Sequence, residues 1–433
     1  MRGNAVMVAA ATVAATIALA VFAVSAAPAF AQEPARGVTA FEGARIIVGN
    51  GRGPIENATL VVDGARIAQI GRAADVAVPG GAKRVSLIGK TVMPTVLDTH
   101  THPSHTREAL TLDLQHRAYY GVGAIMSLGQ DTGSELLAMR GEPIPGDARY
   151  FSAGRGITSP LPGCSNAPYW ITTEAEGRKA VQELAAQKVD IVKIYVDDWW
   201  GRHKKLTPAL YGALINEAHD RGLRVIAHIR DLEDAKGLLR AGVDAFAHGV
   251  RTTDIDDELV ALFKQHPSVV VVPTLPNRGV KADLSWLRDS VPPDLMHELE
   301  AGNTDRPDVQ AAFWIQAHNL AKVNAAGVRI AFGTDANTSW APHNQMADMV
   351  LAGMTPMQVI VAATRTSAEF LRMPDMGTLE AGKSADFMVL DANPLDDIAN
   401  TRRIAAVYLR GAAVDRGPGR GGGVPGHSQL CRP

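Results

Sequence analysis

The chain has 433 residues, 46% hydrophobic and 20% charged, which suffices for one large domain with a buried core and a smaller companion, or for two or three ordinary domains. Its 43 basic and 45 acidic residues leave a formal charge of −2 with no block of like charge, so nothing points to a nucleic-acid partner.

In the first 31 residues Arg2 is the only charge, an Ala/Val/Ile/Leu run follows, and Ala29-Phe30-Ala31 ends it. That layout is a secretory signal peptide cut before Gln32; the alternative is an uncleaved anchor over Ala5–Val24. A periplasmic or secreted protein is expected, with no stable membrane insertion once the segment is removed. From Val38 to about Pro94 short alternating strands are predicted, at Ala44–Val48, Ala58–Val62 and Arg66–Ile70, with Asp63-Gly64 as a hairpin turn. The middle alternates strands and helices. Strands are predicted at Val96–His100, Val122–Leu128, Arg149–Ala153, Asp190–Val196, Arg224–His228, Ala245–His248, Val269–Thr274 and Arg329–Phe332. Eight is the number that closes a (β/α)8 barrel. Helices at Glu174–Lys188, Pro208–Arg221 and Leu232–Ala241 lie between them, the last two ending at Gly222 and Gly242. Two long connections, Gly154 to Thr172 and Pro276 to Pro307, read as lid or binding loops. Strand character returns at Asp386–Leu390 and Ala405–Leu409, before a Gly/Pro-rich tail from Arg416. The fold class is therefore α/β: a TIM barrel over 95–374, with a small β-sandwich from both ends of the mature chain (32–94 and 375–416) and a tail over 417–433. Cys164 and Cys431 are either a disulfide permitted by export or two thiols.

The chemistry-bearing residues sit at strand ends. His100 and His102 are two apart, so both imidazoles point to one side of a strand and can reach one metal. His228 closes Val225-Ile226-Ala227, His248 closes Ala245-Phe246-Ala247, and Asp335 follows Ile330–Thr334. A lone polar residue after an apolar strand is also explained by capping or a loop role, but here the event repeats on separate strands at the end where barrels place catalysis. Lys193 lies inside Val189–Val196, where its ammonium would face a closed barrel mouth. His105 and His116 read as structural or surface residues.

This ordered set resembles the amidohydrolase superfamily, binuclear type, in its imidazolonepropionase-like and prolidase-like branch. Gly89–Pro94, Gly333-Thr334-Asp335 and Gly382–Phe387 match as well; Thr95 stands where relatives usually have Gly. The resemblance implies two divalent metals, zinc by default: one on His100, His102 and Asp335, the other on His228 and His248. A CO2-derived carbamate on Lys193 would bridge them. It also implies a metal-bridged hydroxide, with Asp335 as the catalytic general acid/base that passes a proton to the leaving nitrogen. The expected activity is hydrolysis of an amide or peptide C–N bond, in a dipeptide or N-acyl amino acid. The alternative is a cyclic amide, a lactone or a xenobiotic ester.

Substrate contacts are expected from Tyr195, two past Lys193, and Arg230, two past His228, by strand alternation. Arg230 either clamps a substrate carboxylate or pairs with Asp197, Asp198 or Asp231. Tyr195 would bond the tetrahedral intermediate. His343 either lines the pocket or caps the next helix, and Trp170, Trp199 and Trp200 either form an aromatic wall or anchor loops. The expected partner is a small-molecule or dipeptide substrate; a homo-oligomer is compatible with the sequence.

Overall fold

Three antiparallel strands open the described chain: β1 (Val38–Ile46), β2 (Ile55–Asp63) and β3 (Arg66–Arg72). Gly64 turns between the last two at φ 55°, as Asp63-Gly64 predicts. β4 (Lys83–Ser86) and β5 (Thr91–Pro94) both run parallel to β1. The computed structural model describes residues 37–142, 144–417 and 420–422; the signal-like segment and most of the tail lie outside them.

Only Thr95 separates β5 from the next strand. The parallel strands then follow: β6 (Val96–Thr101), β7 (Val122–Ser127), β8 (Arg149–Ser152), β9 (Ile157–Thr158), β10 (Tyr169–Trp170), β11 (Val192–Val196), β12 (Val225–Ile229), β13 (Ala245–Ala247), β14 (Val270–Val272) and β15 (Arg329–Ile330). All the predicted barrel strands are present, and β9 and β10 are short additions within the Gly154–Thr172 connection. Backbone bonds cross both seams between the two parallel sheets. Asp190 N donates to Ser152 O at 3.0 Å, and Thr99 N donates to Phe332 O at 2.9 Å. Thr101 and Ala336 form a further bridge. The arrangement is an α/β, TIM-barrel-like fold.

Alternation explains its layers. Ile226 packs in the barrel interior with Leu97, Met126 and Val272, whereas Val225 and Ala227 pack with the helices. The helix over Glu174–Ala186 starts with a capping box, Thr173 with Glu176. Thr207 caps the helix over Pro208–Asp220, and Gly222 and Gly242 take φ 71° and 85° just past their helices. The connection from Pro276 to Pro307 departs from the loop expected, because Pro293–Gly302 forms a helix. Pro293 sits in its first turn, where a missing N–H costs little.

The chain returns through β16 (Phe387–Leu390), antiparallel to β5, then β17 (Ile404–Leu409) and β18 (Ala412–Ala413). Strands from both ends thus make one sheet, ordered β18-β17-β16-β5-β1-β2-β3 with β4 beside β1. β17 and β1 stand three places apart, about 14 Å in a flat sheet. The rings of Tyr408 and Phe41 nonetheless lie 4.9 Å apart. The two layers of the expected sandwich are therefore one continuous sheet curled around an aromatic core. No helix among the described residues is long and apolar enough to cross a membrane.

Candidate active site

Strand alternation places both β6 imidazoles on the interior side, and both meet the same carboxylate. His100 Nε2 lies 3.1 Å and His102 Nε2 2.9 Å from Asp335 Oδ1. His248 Nε2 lies 3.9 Å from Asp335 Oδ2. Alternation alone would turn His248 outward, since its neighbours Ala245 and Ala247 pack in the interior. Its φ of 78° reverses that direction. Trp199, Trp200, Thr274 and Asp335 also have positive φ, at 53°, 64°, 39° and 56°. Left-handed backbone in non-glycine residues thus gathers at the C-terminal ends of β11, β13, β14 and β15, as strain does at functional sites.

The ring of His228 lies 4.6 Å from that of His248, which lies 5.0 Å from that of His100. Burial lowers all three histidines, His100 to about 3, His228 to about 4 and His248 well below its usual value. Neutral imidazoles keep a lone pair for a cation. Burial raises the Asp335 carboxyl, but His100 and His248 outweigh it and hold it well below the usual carboxylate range. His100, His248 and Asp335 offer donor atoms within 4.8 Å of one another, a nitrogen/oxygen set that fits one divalent cation.

Lys193, on β11, is fully buried and its Nζ has no hydrogen-bond partner. Burial lowers it to about 7, with Asp335 opposing and Arg251 adding to the shift. An orphaned amine beside these imidazoles fits a position that takes part in ligation once it carries a carboxylate.

Three residues to which the sequence assigned no such role hold the ligands in place. Asp98, two before His100 on β6, accepts from Thr334 Oγ1 at 2.7 Å and Thr334 N at 3.0 Å, tying β6 to the Asp335 loop. Asp197 accepts from His228 Nε2 at 2.8 Å and from Trp199 N at 2.8 Å. That bond places the proton on Nε2 and leaves the Nδ1 lone pair of His228 free to bind a cation. Thr274 Oγ1 likewise bonds His248 Nδ1, leaving Nε2 toward Asp335. Asp98 continues the alternation of His100 and His102, so this one was readable; the other two depend on contacts between different strands.

The expected substrate residues separate. Tyr195 is buried near His228, ring centroids 5.6 Å apart, but its hydroxyl donates to Leu128 O at 3.1 Å. Its one proton is thus committed, which removes the donor expected for a tetrahedral intermediate. Arg230 forms no ion pair with Asp197, Asp198 or Asp231, although its charge acts on Asp197 at longer range; its guanidinium stacks 4.7 Å over the Trp200 ring, and Asp231 pairs with Lys205. His343 is a correction. It is fully buried with Nε2 donating to Tyr120 O at 3.0 Å and Nδ1 bonded to Thr401 Oγ1 at 3.1 Å, so neither ring nitrogen is left for substrate. Trp199 stacks on His228 at 5.3 Å, Trp200 is half exposed, and Trp170 is exposed on β10. Cys164 is disulfide-bonded, and Cys431, the other cysteine of the sequence, lies outside the described residues.

Comparison with known proteins places this geometry among relatives. A sequence profile of the amidohydrolase family matches residues 91–414. An uncharacterized protein of Mycobacterium tuberculosis is 27% identical over 340 residues, covering 75% of this chain and 85% of its own. The imidazolonepropionase of Deinococcus radiodurans is 27% identical over 393 residues, covering 83% and 92%. A crystal structure assigned to a prolidase of Bifidobacterium longum superposes with a TM-score of 0.72 at 27% identity, over 88% of this chain and 96% of that one.

Proposed function

The chain belongs to the amidohydrolase family, in its imidazolonepropionase- and prolidase-like branch, and from that premise we propose an exported, metal-dependent hydrolase of dipeptides or N-acyl amino acids. Hydrolysis of a carbon–nitrogen bond follows from the family; the metal, the substrate class and export are our reading. The observation that carries it is the convergence of His100, His102 and His248 on Asp335, beside the orphaned Lys193 amine.

His100, His102 and Asp335 would hold one divalent ion, and His228 through Nδ1 and His248 through Nε2 a second. Zinc suits this donor set, and manganese or cobalt would fit the same ligands. Lys193 would join them after its neutral amine adds to CO2, forming an N–C bond and releasing one proton to solvent (a second if it starts as the ammonium), which would replace a buried basic group with an anionic ligand. Such metals polarise a scissile carbonyl and lower the pKa of water. Asp335 takes up the proton of the attacking water and delivers it to the leaving nitrogen. Asp98 keeps the Asp335 loop on β6, and Asp197 keeps His228 in one tautomer. The prolidase-like structural relative favours a dipeptide, and the signal-like first 31 residues favour export.

The test is a panel of dipeptides, N-acyl amino acids, cyclic amides, lactones and aryl esters, assayed with zinc, manganese and cobalt after metal analysis. Turnover of dipeptides or N-acyl amino acids, lost with a chelator and restored by metal, is expected. Turnover confined to cyclic amides would favour the second reading, which rests on the similarity to imidazolonepropionase. Activity indifferent to chelation would overturn the metal-dependent mechanism.

A further inference from the structure

Arg251 is a partly buried cation that the metal site does not use. It follows β13 by four residues, in the loop that begins with His248. Its backbone N donates to Arg230 O at 3.0 Å, so the loops after β12 and β13 are tied together at this point. Its Nε is buried with no hydrogen-bond partner. Among the described residues its one side-chain contact at hydrogen-bond distance runs from Nη2 to His228 Nε2, at 3.5 Å. That nitrogen already donates its proton to Asp197 at 2.8 Å and has no lone pair for a second donor. The guanidinium therefore sits against the site with Nε unmatched and Nη2 facing a nitrogen that cannot accept.

The neighbouring carboxylates are committed elsewhere. Asp197 holds His228 and the Trp199 amide, and Asp335 faces three imidazoles. Arg251 has no ion pair among the described residues; Asp335 and Asp197 favour its charge at longer range, and Arg230 opposes it. Arg230 itself rests on the half-exposed Trp200 ring. A partly buried guanidinium with no carboxylate in hydrogen-bond contact is under-used, and a planar carboxylate can accept two of its N–H groups.

We propose that Arg251, rather than Arg230, is the residue that recognises the substrate's free carboxylate, which restricts the site to amides whose leaving amine carries an acid. This rests on the dipeptide or N-acyl amino acid reading above. Arg251 forms the fork, and Arg230 with Trp200 forms the adjoining wall. Neutral amides of the same size leave the fork empty.

The experiment compares the metal-loaded wild type with Arg251→Met, Arg251→Lys and Arg230→Met, on N-acetyl amino acids and dipeptides and on their C-terminal carboxamides. The wild type should prefer the acid, and Arg251→Met should lower the acid-to-amide ratio of kcat/KM by about 100-fold. Arg251→Lys keeps the charge without the fork and should restore part of the preference; it also serves if the methionine variant does not fold. An unchanged ratio in the Arg251 variants, or its collapse in Arg230→Met alone, overturns the assignment. If the wild type hydrolyses none of these compounds, the functional reading has failed, and the anchor is read by calorimetric binding of N-acetyl amino acids. Binding that disappears in Arg251→Met upholds it; binding that is absent from the wild type or survives the substitution overturns it.

Discussion

Lys193 and Asp197 show how much a single side chain decides here. Lys193 is placed by strand alternation, and its buried, orphaned Nζ is what the site would otherwise have to neutralise. Lys193→Ala should lose bound metal and activity together, and added short-chain acids should restore part of both. Full metal content and turnover in that variant would remove lysine from the ligand set. Asp197→Ala tests the tautomer argument separately. Without the acceptor on Nε2, His228 loses the bond that keeps Nδ1 free, and metal affinity should fall by about 10- to 100-fold in a chelator-competition titration. Unchanged affinity would mean the 2.8 Å bond is incidental. His228, His248 and Asp335 were legible because each follows an apolar run, and His100 and His102 because their spacing of two puts both on one side of a strand. Arg251 was not, because it lies in a loop where alternation no longer assigns a side.

At the scale of elements, the strands carried the most readable signal, since a period of two separates interior from helix-facing residues without any tertiary knowledge. Alternation fails at His248, where backbone conformation overrides it. It also misleads for His343, whose position after the last barrel strand looked like the pocket but whose ring is spent on Tyr120 and Thr401. The approach of β15 to β6 depends on a residue with no side chain. A Cβ on Gly333 would lie 2.5 Å from Val272 Cγ1 and 2.8 Å from His100 Cβ. Gly333→Ala must therefore push β6 and the Asp335 loop apart, at a cost of about 1–3 kcal/mol for overpacking. A lower Tm together with reduced metal content is expected. Loss of stability with metal content intact would show that the strands can separate without disturbing the ligands.

Across the whole molecule, the curled sheet is joined to the starts of the barrel strands, away from the ligand-bearing ends. β5 runs into β6 through Thr95, and Arg149, the first residue of β8, reaches Asp386 at 3.5 Å and Ser384 Oγ at 3.1 Å. The assembly of one sheet from both ends was legible as strand character at two distant places; its closure into one curled sheet was not, because that rests on contacts such as Phe41 with Tyr408. Asp147 lies on this junction. Arg410, in the turn between β17 and β18, donates to Asp147 O at 3.0 Å and Ile144 O at 3.2 Å, while the Asp147 carboxyl is buried beneath. Burial pushes that carboxyl up to about 7, although Arg410 opposes the shift. An unfolded aspartate titrates near ~4. Between about 4 and 7 the folded chain therefore holds a proton that the unfolded chain has released, so stability falls as pH rises through that window. Above the folded value the penalty is complete. Asp147→Asn removes the ionisable group, and should stabilise the protein by on the order of 2 kcal/mol at pH 8 while gaining little at pH 4. Urea unfolding at both pH values measures the difference. An equal gain at pH 4 and pH 8 would assign the effect to packing, and a loss at pH 8 would mean that the charged carboxylate is held by Arg410 as a stabilising pair.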